Sequence, residues 1–167
     1  MTEVELGLLI QESAATLAKQ VLEDWREVGR KEKWLALPES ITYDSLPEVL
    51  QAIAAVALVT PFTAAACRTL VGFAAEHGET RQREGFPESL IYTEYQLLRR
   101  SLWEFVHDRI EPEAAVDAIM RVDAVLSLGT LASLRGFHRP TYEARNAWPR
   151  TLDELAKEWP LFGTGDA

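Results

Sequence analysis

The prolines of this chain restrict its fold more than any other feature. Pro61, Pro87, Pro112 and Pro149 each stand where a helix would begin, and none interrupts an apolar stripe. A proline in a first helical turn gives up an N–H that has no partner there anyway. Between these marks apolar residues recur every three or four positions. Leu6, Ile10, Leu17, Val21, Trp25 and Val28 form a first stripe, and Leu46, Val49, Leu50, Ile53 and Val56 a second. Phe62, Ala66, Leu70 and Phe73 give a third, Ile91, Leu98, Leu102 and Phe105 a fourth, and Ile119, Leu126 and Thr130 a fifth. That spacing is the period of one helix face. Thr2-Glu5, Ser45-Glu48 and Thr151-Glu154 match the capping box that closes a helix N-terminus. No alternating strand pattern with hairpin turns occurs. The pattern predicts an all-α, single-domain bundle of five main helices with a short sixth near residues 151–158.

One segment admits a different reading. VLQAIAAVALVTPFTAAAC, residues 49–67, is uncharged and about as long as a membrane span. Its alanines, Gln51 and the Thr60-Pro61 break argue for two core helices meeting at a cap instead. The acidic start MTEVE lacks the basic opening of a secretory signal. A single cysteine, Cys67, allows neither an internal disulfide nor a CxxC motif. A cytoplasmic protein is expected. With 26 acidic against 17 basic side chains the net charge is −9, which repels nucleic-acid backbones and anionic lipid alike. Neither nucleic acid nor membrane is an expected partner.

The expected bundle ends near residue 138. Residues 139–167 differ in kind, with Trp148-Pro149 and Trp159-Pro160 around one short helix. Trp148, Trp159 and Phe162 are candidate partner-binding residues, because aromatic anchors tend to dominate interface energies. The competing reading is that this tail packs back on its own bundle.

Some stripes carry charge. His77 falls four residues after Phe73 and Arg81 one turn later, Glu94 lies between Ile91 and Leu98, and Asp123 lies between Ile119 and Leu126. All four point at one core in this reading. A buried carboxylate needs cationic or donor partners. His77 and Arg81 are the nearest candidates, with Tyr95, Arg99 and Arg121 as outer members. Such a network can tie helices together, or form a small-molecule site. A metal site is disfavoured by the lack of a repeated Glu-x-x-His motif, and no cofactor is implied. An acid–base enzyme using His77, Glu94 and Asp123 is an alternative, but no phosphate loop or nucleophile elbow accompanies it. Cys67 reads as a small buried hydrophobe, and His107 and His138 as helix-end residues.

These residues also resemble a family. His77-Gly78-x-x-Arg81-x-x-x-Gly85-Phe86, Glu94-Tyr95-x-x-Leu98-Arg99 and Arg121-x-Asp123 are similar to the N-terminal sensor domain of RsbRD-type co-antagonists, also found ahead of bacterial histidine kinases. The resemblance covers roughly residues 6 to 138. It implies a non-catalytic helical signalling domain of the stress response, with no catalytic residues to carry over. It further implies a homodimer, and output through a separate kinase or STAS-type protein, since nothing after residue 138 leaves room for either.

Overall fold

The computed structural model describes residues 1–31, 45–60 and 64–138. Five α-helices account for most of them: α1 (Glu3–Lys31), α2 (Leu46–Ala54), α3 (Ala64–Arg83), α4 (Glu88–His107) and α5 (Pro112–His138). No strand occurs among the described residues. The predicted all-α bundle is what forms. The short sixth helix, the Thr151-Glu154 box, Phe62, Trp148, Trp159 and Phe162 lie outside the described residues.

The helix boundaries follow from local chemistry. The Thr2-Glu5 box closes reciprocally, with Thr2 N–H donating to Glu5 Oε2 at 2.7 Å and Glu5 N–H to Thr2 Oγ1 at 3.2 Å. Pro87 precedes α4 in extended backbone, and Pro112 opens α5. The Ser45-Glu48 box does not form, because the Ser45 side chain makes no cap hydrogen bond and is drawn to another helix. The apolar run 49–67 is split as expected. After α2 the chain makes one π-helical turn, Ala55–Val59, and then leaves the helix at Thr60, whose N–H and Oγ1 both donate to the Ala55 carbonyl. Among the described residues no helix is long and apolar enough to cross a membrane.

The most extensive packing is between α3 and α5; α1 lies against α2, the π-turn and α4, and α4 also lines α5. The close α3–α5 approach has a specific cause. A Cβ on Gly78 would overlap the Ser133 carbonyl, and one on Gly136 would overlap the Ala75 carbonyl, so two glycines let the backbones touch. The main core runs through all five helices, while Leu22, Trp25, Phe86 and Leu90 form a smaller one between α1 and the start of α4.

The fifth stripe is rotated from its predicted position. Ala115, Ala118, Val122, Val125, Gly129, Ala132 and Gly136 face the core, whereas Ile119 is only partly buried. The largest apolar residue misled the assignment, because a helix that must approach a neighbour closely buries its small residues. Asp123 consequently sits about a third of a turn away from the centre of the buried face.

Candidate functional site

The site is built where α3 ends. Gly85 takes a positive φ of 80°, and Phe86 N–H donates to the Arg81 carbonyl while Gly85 N–H donates to that of Gln82, both at 3.0 Å. That is the Schellman arrangement, in which a left-handed glycine satisfies the last carbonyls of a helix. The turn sets the Phe86 ring against the Arg81 guanidinium, 5.3 Å away, and edge-on to Trp25. Gly85-Phe86 therefore stops α3 and at the same time holds Arg81 in place.

Glu94 projects from α4 into this corner with no exposure to solvent. His77 Nε2 lies 2.6 Å from its Oε2, and Arg81 Nη2 donates to its Oε1 at 2.7 Å, with Nε at 3.4 Å from Oε2. Arg81 Nη1 reaches Glu84 at 2.8 Å. His77 Nδ1 meets the hydroxyl of Ser45, at the start of α2, at 2.9 Å. Both imidazole nitrogens and both carboxylate oxygens are thus engaged. The chain Ser45–His77–Glu94–Arg81 joins α2, α3 and α4 through side chains that are almost wholly buried on α3 and α4.

The electrostatics favour the ionised carboxylate. Burial works to raise the Glu94 carboxyl, but the His77 imidazole and the Arg81 guanidinium, by charge and hydrogen bond, overcome it and hold the group at about 2. For Arg81, burial works to lower the guanidinium and the carboxylates of Glu94 and Glu84 raise it. Each ion needs the other in this site. A second polar chain lies beside the first. The Tyr95 and Ser133 hydroxyls are 2.8 Å apart, and Ser133 Oγ donates to the Ala74 carbonyl at 2.6 Å, at the α3–α5 crossing. Burial pushes the Tyr95 phenol up. Its ring stands edge-on to His77, with centroids 6.4 Å apart.

His77, Arg81, Glu94 and Tyr95 are therefore brought together, and Asp123 and Arg99 are not. Asp123 is 41% exposed in its side chain and pairs through Oδ1 with Arg99 Nε, while Arg99 Nη2 reaches Ser127 at 3.5 Å. This second pair lies on the outer side of α4 and α5. The expectation that Asp123 points into the same core as Glu94 is corrected by the rotation of α5. Arg121 instead pairs with Glu3 on α1. Sequence reasoning missed Ser45, Glu84 and Ser133. Ser45 was masked by its fit to a cap, and Ser133 carries no signal apart from its place on the α5 line of small residues.

Burial also raises the Cys67 thiol to about 12, so it holds its proton, as a small hydrophobe does. The Trp25 indole N–H is buried with no acceptor.

With this geometry in view, the comparison with known families is decisive over most of the chain. The model of the RsbT co-antagonist protein rsbRD N-terminal domain matches residues 15–150. The chain belongs to that family. It is thereby a regulatory domain of stress-response signalling. No curated protein and no solved structure matches it significantly.

Proposed function

We propose that this rsbRD-type domain receives a signal as a change in the packing of α2, α3 and α4 around the Ser45–His77–Glu94–Arg81 network. It passes that change on by contact with protein, a second copy of itself and a separate kinase or STAS-type output protein. The observation that carries the reading is that one buried carboxylate holds both α3 cations, one of which holds α2. Three helices share a single electrostatic joint, so a perturbation of any member is felt by all of them. Interfaces and cores built this way switch between packings instead of deforming smoothly.

Two features argue for a non-catalytic role. His77 and Glu94 are 1% and 0% exposed, and every polar atom of the pair that could act as acid or base is already bonded within the protein. A substrate would have to displace partners that are themselves buried ions. The same satisfaction weighs against a small molecule bound directly to Glu94.

The test is hydrogen exchange by mass spectrometry on Glu94→Gln at neutral pH. The amide keeps the shape and removes the charge, and the reading expects faster exchange in α2, α3 and α4 together in a chain whose helical signal is retained. Faster exchange confined to residues beside position 94 would contradict it.

A further inference from the structure

The outer faces of α4 and α5 carry an apolar surface that the buried network does not use. Tyr92 and Trp103 on α4, and Val116, Met120 and Leu131 on α5, are large apolar side chains between 40% and 56% exposed. At 3.6 residues per turn, Tyr92, Arg99 and Trp103 fall within about 40° of one another on α4. Val116, Met120, Asp123, Ser127 and Leu131 fall within about 80° on α5 by the same spacing. The hydrogen bonds from Arg99 to Asp123 and Ser127 join these two lines side by side. Five of the eight exposed large apolar residues among those described thus share one two-helix face. Large apolar patches rimmed by polar groups are where proteins dock.

We infer that this α4–α5 face is where a second copy of the chain packs, forming a four-helix contact about a two-fold axis. The charge pattern selects that occupant. The whole chain carries −9, so two copies repel at most orientations. The two lines hold one cation, Arg99, and one anion, Asp123, and are neutral together. Charges elsewhere on the surface are screened beyond about 8 Å at physiological salt. The pair is also self-complementary. Within one copy Arg99 uses Nε and Nη2, and Asp123 uses Oδ1. Arg99 Nη1 and Asp123 Oδ2 remain to pair reciprocally across the axis. A two-fold contact requires that reciprocity, since each side presents the same patch.

The size of the face sets the strength. The lines run about 16 Å on α4 and about 22 Å on α5 at 1.5 Å per residue. Two helices of that length lie at the small end of stable interfaces, which bury about 800 Å² per partner. A reversible dimer with a dissociation constant in the micromolar range follows.

The inference rests on the proposed function only in taking output to be a protein contact. It is tested by sedimentation velocity of the full chain from about 1 to 200 μM, a range spanning micromolar affinity. Wild type should pass from monomer to dimer. Met120→Glu and Leu131→Lys, of opposite charge and at exposed positions, should each weaken the dimer at least tenfold. Leu8→Glu, at an exposed apolar position on α1, should not. Arg99→Asp should weaken it, and Arg99→Asp with Asp123→Arg should restore it. A dimer untouched by Met120→Glu and Leu131→Lys overturns the assignment of the face and leaves self-association standing. A wild-type monomer at every concentration overturns the second copy as occupant, while the exchange response to Glu94→Gln is read independently.

Discussion

Glu94 and Asp123 are the same chemistry placed in two environments. Each carboxylate lies on a helix between apolar positions and pairs with an arginine, Glu94 with Arg81 and Asp123 with Arg99. Glu94 and Arg81 are 0% and 1% exposed, whereas Asp123 and Arg99 are 41% and 18% exposed in their side chains. The difference decides what each pair can do. A solvated ion pair is worth about 0–1 kcal/mol and can exchange partners, which suits a surface that meets another chain. A buried one cannot lose a member without stranding a charge, which suits a joint.

The largest effect should come from stranding that charge. Glu94→Ala leaves Arg81 buried without its carboxylate and should cost on the order of 3–5 kcal/mol in urea or thermal melts. Glu84 and the facing Phe86 ring remain near the guanidinium, and the smaller end of that range would mean that they compensate in part.

Acid should reproduce part of this effect without a mutation. The folded Glu94 carboxyl is depressed from 4.5 to about 2. A depressed carboxylate contributes stability above its unfolded value, and that contribution is lost as pH falls from about 4.5 toward about 2. The linkage amounts to on the order of 3 kcal/mol across that window. Glu94→Gln should flatten the stability profile between those pH values, and an unchanged slope in that variant would assign the acid sensitivity to other carboxylates.

The two pairs also show how far the sequence could be read. The five helices were legible because proline and cap residues mark their starts and apolar period marks their faces. Glu94, His77 and Arg81 were legible for the same reason, since a charged residue between large apolar residues on α3 or α4 must face inward. Asp123 obeyed the same rule and faces outward, because α5 buries glycine and alanine against α3 and turns Ile119 aside. Small-residue contact has no hydrophobic signature in the period. Ser45 failed for a related reason: its spacing to Glu48 fits a local cap, and only the arrival of His77 from 32 residues away redirects the hydroxyl.

The smallest effect is expected at the outer pair. Asp123→Asn should change monomer stability by less than about 1 kcal/mol. Its thermal midpoint should be read at low concentration, where association adds nothing. A loss as large as that of Glu94→Ala would erase the distinction between joint and surface.

The most direct measurement is a pair of double-mutant cycles in urea at neutral pH, one on Arg81 and Glu94 with Met and Leu as replacements, the other on Arg99 and Asp123 with Ala. The account predicts that each buried single variant is strongly destabilised while Arg81→Met with Glu94→Leu recovers most of the loss, giving a coupling of about 3 kcal/mol or more. It predicts a coupling below about 1 kcal/mol for the outer pair. Equal couplings in the two cycles would contradict the claim that the buried pair is the joint holding α3 to α4.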